Sequence, residues 1–526
     1  MKKAAIGTKT MVTSPHYLAT TAGARVLEKG GNAFDAAIAV SACLAVVYPH
    51  MTGLGGDSFW LLYSAQDGAV RAYNGSGRSG YRADLSAYAG EAAIPSRGIR
   101  SIVTVPGMVD SWDAILREYG KLTLADVLEA AIGYASEGFP LSPDQHQNTR
   151  LKQDVLASDP AASAIYLPGG RIPAAGSRFL QKDLARTLRE IASKGRDYFY
   201  KAELGQRMGD YLQGQGGILT ADDFAEHTGN WATPLTGSYR GLQLVQLPPN
   251  SQGFTGIMTA HILEHFDFTG IQHGSYEYYH LLVEALKLSF LDRNAWLTDP
   301  DFADIPVGRF LDKPYAKKLA ARLNMSRALP MEAEQLGSDT AYAAVVDAEG
   351  NAVSFIQSLY FEFGSGVVVP GTGVLLQNRG SFFSLDPSHV NRLAPRKRTF
   401  HTLMPAMAML EDRPYLLYGT QGGEGQPQTQ TALLTRVVDY GMDPQTAINE
   451  PRWVWGRTWG EETRELKVES RVDEAVLAQL AAAGHLVRKV RAYDGIVGHA
   501  QAILIDSQGF RIGGSDPRCD GASIGW

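Results

Sequence analysis

The 526-residue chain has only two cysteines, Cys43 and Cys519, so it offers neither a disulfide framework nor a cysteine metal knuckle. It also lacks an excess of positive charge, because 49 Lys and Arg residues stand against 55 Asp and Glu residues and the formal net charge is −6. This balance argues against a nucleic-acid partner. With 44% hydrophobic and 20% charged residues, the composition is that of a globular enzyme that can bury a stable core without disulfide bonds.

Long hydrophobic runs are missing as well. The longest, at 36–48, falls short of the ~20 residues of a membrane-spanning helix and predicts a buried helix, with Asn32 as its cap and Pro49 as its stop. The N-terminal segment begins with basic residues but has no apolar core of a signal peptide. We therefore expect a cytoplasmic protein with no membrane partner. We also expect neither a metal nor a cofactor.

Hydrophobic periodicity predicts an α+β protein. The predicted helices are 122–137, 181–194 and 276–296, and the predicted strands are 58–65, 69–74, 341–346, 352–359, 500–505 and 510–513. The strands pair as hairpins through short turns, and the helices form separate runs, which is typical of antiparallel sheets covered by helices. A polar, irregular stretch at about 324–338 is the best candidate for a linker.

His261 and His265 fit the H-x-x-E-H pattern of inverted zinc peptidases. If the segment is helical, both imidazoles share one face. The pattern is short, two histidines on an amphipathic helix satisfy it by chance, and no distal acidic ligand accompanies it. A zinc peptidase acting through His261 and His265 stays as an alternative from another class of enzyme.

The segment from Gly75 to Gly80 satisfies G-x-G-x-x-G and follows a predicted strand. A dinucleotide site also needs a parallel βαβ unit, a helix that opens inside the motif, and an acidic residue ~20 positions further on. The preceding hairpin does not provide that context. We therefore interpret the motif as a glycine-rich loop that can line a site.

Thr340 opens the strand that follows the linker, directly after Asp339. Threonine is a good β former, so its place in a strand alone means little. If the Asp339–Thr340 bond is cut, however, Thr340 gains an α-amine with a pKa near 7.7–8.0, which can take the proton of its own Oγ. Nucleophile and base then belong to one residue, and the reaction requires neither a histidine nor a metal.

The sequence resembles the γ-glutamyltranspeptidase family of N-terminal nucleophile hydrolases over nearly its whole length. The similarity rests on the segments LEKGGNAFDAAIAV (27–40), TGLGGDSF (52–59), VTVPGMVDSW (103–112), LPPNSQGF (247–254), LVEALKLSF (282–290), DTAYAAVVDAEGNAVSF (339–355), TQGGEGQPQ (420–428) and SDPR (515–518). The resemblance implies a four-layer αββα sandwich. It also implies a precursor cut before Thr340 into a large chain, 1–339, and a small chain, 340–526, that stay associated in one intertwined domain. A homo-oligomer of such two-chain units is compatible with it.

The resemblance also assigns catalytic roles. Thr340 matches the family nucleophile, Gly422 and Gly423 match the glycine pair whose amides form an oxyanion hole, and Ser358 matches a threonine that supports the nucleophile. Glycines suit this role because their backbone can aim N–H groups at a developing oxyanion.

The substrate positions depart from the family pattern. Asn74 stands where transpeptidases hold the substrate α-carboxylate with an arginine, although Arg78 lies four residues on. Tyr360, Arg379 and Phe382 replace an asparagine, a glutamine and an aspartate that hold the α-ammonium. His401 and Thr402 replace two serines; we therefore assign these positions to the substrate pocket.

These changes reverse the charge of the pocket. A buried arginine facing a substrate ammonium is costly, whereas a guanidinium matches a carboxylate. We therefore expect an acyl group with a carboxylate and no α-amine, bound by Arg379, with Arg78 or His401 as further candidates. Arg379 in a structural ion pair is the alternative interpretation.

The expected reaction is the hydrolysis of a small carboxylate-bearing amide. Among the activities that the family resemblance implies, the first choice is hydrolysis of oxamate to oxalate and ammonia, a reaction of purine-ring nitrogen catabolism, because Tyr360 and Phe382 narrow the pocket and no signal peptide is found. Glutaryl-cephalosporin deacylation is the next alternative. Hydrolysis or transfer of a γ-glutamyl group from glutathione-type substrates is the third.

Overall fold

The computed structural model describes residues 2–330, 339–456 and 463–526. Part of the predicted linker, 331–338, lies outside the described residues. The strands are β1 (Ala5–Gly7), β2 (Met11–Ser14), β3 (Asp57–Ser64), β4 (Ala69–Gly75), β5 (Phe139–Pro140), β6 (Arg178–Phe179), β7 (Asn230–Ala232), β8 (Leu235–Tyr239), β9 (Leu242–Gln246), β10 (Asp339–Val346), β11 (Ala352–Tyr360), β12 (Ala406–Leu410), β13 (Arg413–Thr420), β14 (Trp453–Trp455), β15 (Glu465–Glu469), β16 (Leu486–Val490), β17 (Ala500–Ile505), β18 (Arg511–Ser515) and β19 (Ala522–Ile524).

The helices are α1 (Tyr17–Glu28), α2 (Ala33–Val47), α3 (Met108–Tyr119), α4 (Leu124–Glu137), α5 (Pro143–Leu151), α6 (Gln153–Ala157), α7 (Pro160–Tyr166), α8 (Lys182–Lys194), α9 (Arg196–Tyr200), α10 (Glu203–Gly214), α11 (Ala221–Ala225), α12 (Gly253–Leu263), α13 (Tyr276–Trp296), α14 (Val307–Phe310), α15 (Lys313–Ala320), α16 (Gly425–Val438), α17 (Pro444–Asn449) and α18 (Glu474–Ala482). None of the helices in the described ranges is both long and apolar enough to span a membrane.

Two large sheets form the middle of the protein. Within the described part of the chain, each has seven strands, in the orders β1-β18-β17-β13-β12-β9-β8 and β19-β2-β10-β11-β3-β4-β7. All the pairings inside them are antiparallel. A smaller sheet of β14, β15 and β16 and the short pair β5-β6 lie apart from them.

The alternation of side chains along β10 shows how the layers stack. Ala341, Ala343 and Val345 belong to the core shared with α1, α2 and α3. Tyr342 and Ala344 belong instead to the core between the two sheets. Because successive side chains of a strand point to opposite faces, β10 is buried on both.

A third core packs α12, α13, α16 and α17 against the outer face of the other sheet. The result is a four-layer αββα sandwich, and the predicted α+β class is confirmed.

Most predicted elements are found with shifted ends. Helix α13 has the predicted bounds, and the two hairpins are present as β10-β11 and β17-β18. Helix α2 begins directly after Asn32, so the predicted cap is confirmed: Asn32 and Asp35 form a capping box that fixes the start of the helix.

The helix that the zinc pattern requires does not extend to His265. Helix α12 stops at Leu263, and Glu264 is its C-cap. The Glu264 carboxylate contacts Lys313 and accepts the backbone N–H of Arg240, at 2.8 Å.

Candidate active site

Thr340 lies at an irregularity in the pairing of β10 and β11. Asp339 pairs with Tyr360 and Ala341 with Gln357, so two residues of β11 stand opposite Thr340. Such a bulge bends a strand and re-aims its side chains, and bulges are common beside active sites. Thr340 is completely buried in the uncut chain.

The C-terminal end of β11, which lies opposite Thr340, has an unusual backbone conformation. The Ser358 hydroxyl accepts the backbone N–H of Tyr360 at 2.8 Å, and Ser358 pairs with Asp57 of the neighbouring strand β3. Tyr360 has a φ of 86°, a conformation that bulky residues rarely adopt. Strain of this kind persists only where the surroundings enforce it, and it clusters at functional sites.

Gly422 and Gly423 form the turn that leads into α16. Their φ angles of 123° and 51° fall in the region that favours glycine. The Gly422 carbonyl accepts the N–H of Gly425 at 2.6 Å. Because C=O and N–H of one planar peptide point in opposite directions, the N–H of Gly423 points away from the helix. A helix N-terminus with an outward N–H group suits a developing negative charge.

A buried polar network holds this turn. The Gln252 amide donates to the carbonyl of Gly423 at 3.2 Å and to that of Thr402 at 2.7 Å. Its oxygen accepts from Arg293 at 3.0 Å, and Arg293 also pairs with Glu424 at 3.0 Å. The side chain of Gln252 therefore forms hydrogen bonds with both the glycine turn and the segment around Thr402, which we call the 402 segment.

Arg379 is a buried cation whose hydrogen bonds are incompletely satisfied. Its side chain is 1% exposed, its guanidinium lies over the Tyr360 ring at 4.2 Å, and Nη1 donates a long hydrogen bond of 3.4 Å to Thr402 Oγ1. Its Nε and Nη2 atoms have no hydrogen-bond partner within the described residues. Burial lowers the pKa of the guanidinium to about 10, so it is still a cation at neutral pH.

Asp57 lies beside Arg379 and is held by surrounding donors. Its Oδ1 accepts the N–H groups of Gly77 and Gly107, at 3.2 and 3.1 Å. The amide of Gln377 donates to the same oxygen at 3.1 Å. Burial raises the pKa of Asp57 to about 7, although the nearby guanidinium and these hydrogen bonds act in the opposite direction.

His401 is neutral in this site. Its Nδ1 accepts the N–H of Leu403 at 3.4 Å, so the proton is on Nε2, which lies 3.2 Å from Asp57 Oδ2. Burial, and next the charge of Arg379, lower the pKa of His401 well below its usual value. It therefore brings no positive charge to a substrate.

Two further predicted substrate residues are engaged elsewhere. Arg78 forms ion pairs with Asp299 and Asp301, at 3.1 and 2.8 Å. Asn74 bonds the amide oxygen of Asn250 at 2.8 Å and accepts from Ser76.

The aromatic residues meet at a cavity. Tyr360 and Phe382 pack edge to face at 5.5 Å, and Phe382 packs against Phe400 at 4.8 Å. All three line a cavity of 680 Å³, which also borders Phe361 and Asn294.

The two histidines of the zinc pattern are not brought together as a metal site. His261 is buried and accepts the N–H of Ser238 at 3.2 Å, whereas His265 is exposed beyond the helix end. This geometry contradicts the shared helical face that the zinc interpretation requires.

Another group of potential metal ligands is formed by His280, Glu284 and His485. The two imidazoles hydrogen bond to each other at 2.8 Å, and Glu284 bonds Lys287 at 2.7 Å. Protein partners already engage these atoms.

The sequence did not single out Asp57 and Gln252, which support the site. Each lies inside a segment that carried the family resemblance. A polar side chain within an otherwise apolar or glycine-rich motif was the available signal.

Comparison with known proteins is consistent with this site. The family model for gamma-glutamyltranspeptidase matches residues 19–526. The chain belongs to the γ-glutamyltranspeptidase family. It is an enzyme of the N-terminal nucleophile hydrolase type, an amidohydrolase.

Relatives within the family span the whole chain. It is 62% identical, over all of both chains, to the "Glutathione hydrolase-like YwrD proenzyme" of Bacillus subtilis, and 40% identical, again over all of both chains, to the "Oxamate amidohydrolase proenzyme" of Klebsiella pneumoniae. The crystal structure of cephalosporin acylase from Bacillus halodurans superposes with a TM-score of 0.93 at 34% identity, covering 100% of this chain and 97% of the other.

Proposed function

We propose that the protein cuts itself between Asp339 and Thr340 and then hydrolyses the amide of a small carboxylate-bearing acyl group, with oxamate as the first candidate. The buried, incompletely bonded guanidinium of Arg379 carries the substrate part of this proposal. The chains 1–339 and 340–526 would remain together, because β10 pairs with β2 and β11 with β3 across the cut.

In this mechanism the α-amine of Thr340 takes the proton of its own Oγ as Oγ attacks the amide carbonyl. The N–H groups of Gly422 and Gly423 stabilise the oxyanion. When the C–N bond breaks, the amine passes its proton to the leaving nitrogen. Water then hydrolyses the ester on Thr340.

A carboxylate would satisfy the guanidinium where the protein does not. Nε and Nη2 of Arg379 are adjacent donors of one planar fork, the geometry that binds a carboxylate through two hydrogen bonds. An unsatisfied buried donor costs roughly 1–3 kcal/mol, and more when charged. Binding of a substrate carboxylate would remove that cost, which favours an anion at this guanidinium.

The same pocket is poorly suited to an α-ammonium. Oδ1 of Asp57, the nearby carboxylate, already accepts three hydrogen bonds, and its Oδ2 faces the Nε2–H of His401. Arg379 would repel an ammonium. This argues against a γ-glutamyl substrate, although the 62% identical relative is called glutathione hydrolase-like; glutathione is therefore the direct competitor in any assay.

Oxamate fits the remaining features. Its carboxylate is bonded directly to the amide carbonyl, so the anion site must lie close to the nucleophile. Arg379 stacks on Tyr360, whose partner across the sheet is Asp339, the neighbour of Thr340. The 40% identical relative is named an oxamate amidohydrolase.

The cavity favours a second candidate, an acylase with a bulky leaving amine. A volume of 680 Å³ next to Tyr360 and Phe382 is within the ordinary range of ligand pockets and exceeds what oxamate fills. Glutaryl-cephalosporin amides combine a carboxylate with a large amine. Two acylase proenzymes of Pseudomonas are 34% identical to this chain.

The test compares ammonia or amine release from oxamate, glutaryl-7-aminocephalosporanic acid, glutamine and glutathione. We expect the two acids without an α-amine to be preferred; a clear preference for glutathione would refute the substrate proposal.

Processing is tested separately, by a denaturing gel and N-terminal sequencing of the smaller band. The band should begin at Thr340, and Thr340→Ala should stay uncut and inactive. An active enzyme with one full-length band would refute self-cleavage.

A further inference from the structure

We propose that Gln426 is a catalytic residue that speeds the breakdown of the ester on Thr340, both in self-cleavage and in turnover. This inference rests on the proposed role of Thr340 as nucleophile. It concerns a different step from the attack itself, in which Gly422 and Gly423 were assigned the oxyanion.

Gln426 is fully buried in the first turn of α16. Its backbone N–H donates to the carbonyl of Gly423 at 3.2 Å, so its position is set by the glycine turn. Its side-chain oxygen accepts the N–H of Met404 at 3.1 Å, while Nε2 donates to Thr340 Oγ1 at 3.4 Å.

The orientation of this amide is fixed by its partners. A backbone N–H can only donate, so the end of the Gln426 amide that faces Met404 must be the oxygen. The NH₂ end is then the one that faces Thr340 Oγ1. The hydrogen bond is long in the uncut chain, as catalytic hydrogen bonds often are before the reacting state forms.

A hydrogen-bond donor at Thr340 Oγ mainly assists the step in which Oγ leaves as the ester breaks down. In deacylation, water adds to the carbonyl of the Thr340 ester and gives a proton to the α-amine. The tetrahedral intermediate then collapses, the C–Oγ bond breaks, and Oγ leaves with the electron pair before it recovers a proton from the α-ammonium. An N–H group aimed at Oγ stabilises the negative charge that develops there.

The same event occurs during processing. Oγ of Thr340 attacks the carbonyl carbon of Asp339 and loses its proton. The C–N bond breaks, and the nitrogen takes up that proton and becomes the new α-amine. The two chains are then joined by an ester at Oγ until water cleaves it. One side chain at Oγ therefore acts in both reactions, because each ends in hydrolysis of a Thr340 ester.

A matched control lies one turn further along α16. Gln430 is also buried; it donates to the carbonyl of Met404 at 2.5 Å and accepts from Gln246 at 3.1 Å. It contacts the same Met404 segment as Gln426 but, in the part of the chain that the structure describes, forms no hydrogen bond with Thr340. Gln430→Met therefore reproduces a loss of packing and of hydrogen bonding on this segment without touching Oγ.

The experiment compares wild type, Gln426→Met and Gln430→Met with N-(4-nitrophenyl)oxamic acid as a chromogenic probe. For Gln426→Met we expect kcat to fall about ten- to hundredfold and KM to fall with it, so that kcat/KM changes much less. A burst of nitroaniline should precede the slow phase. Intact mass spectrometry should show the acylated small chain, and Gln430→Met should show neither effect.

Processing provides a readout that does not depend on the substrate. Freshly made Gln426→Met precursor should accumulate the ester-linked form, and hydroxylamine should cleave it into two chains faster than buffer does. Gln426→Glu keeps the acceptor for the Met404 N–H but loses the donor to Thr340 Oγ, so it should accumulate the same ester at neutral pH. This variant replaces Gln426→Met in the experiment if the methionine variant folds poorly.

The outcomes separate the two proposals. A lower kcat without a burst or ester accumulation, or equal behaviour of the Gln426 and Gln430 variants, would overturn the role of Gln426 alone. If Thr340→Ala is cut and active, the nucleophile itself is wrong, and both proposals fail.

Discussion

The guanidinium of Arg379 lies 4.2 Å from the centre of the Tyr360 ring, and Tyr360 holds this position with a left-handed backbone. The ring covers one face of the cation without supplying hydrogen bonds. A cation–π contact contributes roughly 0.5–2 kcal/mol, which offsets only part of the cost of burying the charge. The guanidinium therefore retains part of its burial cost, and an incoming substrate carboxylate would lower that cost by hydrogen bonding to it.

The first prediction concerns Arg379→Met. We expect kcat/KM for a carboxylate-bearing amide to fall roughly 10- to 150-fold, the effect of losing charge-assisted hydrogen bonds of about 1.5–3 kcal/mol. The melting temperature should stay the same or rise, because the variant removes a buried charge that, within the described ranges, has only one long hydrogen bond, to Thr402. Steady-state kinetics and thermal unfolding measure the two effects.

Arg436→Met is the control for that prediction. Arg436 is equally buried, but it donates to the carbonyls of Ala447 and Pro451, at 3.0 and 2.6 Å. Its loss should lower the melting temperature and leave KM unchanged. If Arg379→Met also lowers the melting temperature and leaves KM unchanged, Arg379 is structural.

The second prediction concerns Gln252, which bonds the glycine turn and the 402 segment at once. Gln252→Leu should lower kcat about ten- to hundredfold, because the turn loses the contact at Gly423 that fixes the direction of its N–H groups. Self-cleavage should slow by a similar factor. Gln181→Leu, which removes a buried amide bonded to the Val46 carbonyl at 2.7 Å, should leave both rates unchanged.

The sequence predicts the parts of the site that depend on local pattern. Alternation along 341–346 and 352–359 is enough to place Thr340 and Ser358 on adjacent strands. The partners of Asp57 could not be predicted in this way, because its donors come from positions 77, 107 and 377, brought together only by long-range packing. Arg78 shows the same limit, since its partner Asp299 is 221 positions away.

The end of helix α12 illustrates a local error with a distant cause. The pattern of His261 to His265 is compatible with a helix on periodicity alone. Lys313, which contacts Glu264 from another helix, could not be paired with it from sequence. The bounds of an element are what a sequence pattern places least well.

The third prediction tests the zinc alternative. Incubation with a chelator should leave both amide hydrolysis and self-cleavage unchanged, because His261 and His265 do not share a site. His265→Ala, at an exposed position, should retain full activity. Loss of activity on chelation, restored by added zinc, would contradict the threonine mechanism.

The fourth prediction is a pH dependence of substrate affinity. Burial raises the pKa of Asp57 to about 7. Below that pH the Asp57 carboxyl is neutral, and the charge of Arg379 is fully available to a substrate carboxylate. Above it, the ionised Asp57 partly cancels that charge, so KM for the acid substrate should rise as pH increases through 7.

Asp57→Asn separates this effect from the titration of the nucleophile. The α-amine of Thr340, with an ordinary pKa near 7.7–8.0, must be deprotonated to act, so kcat should increase with pH in both proteins. The rise in KM should occur only in the wild type, because asparagine cannot ionise but keeps an oxygen for the N–H groups of Gly77 and Gly107. An identical KM profile in both proteins would show that Asp57 does not control the charge that the substrate meets.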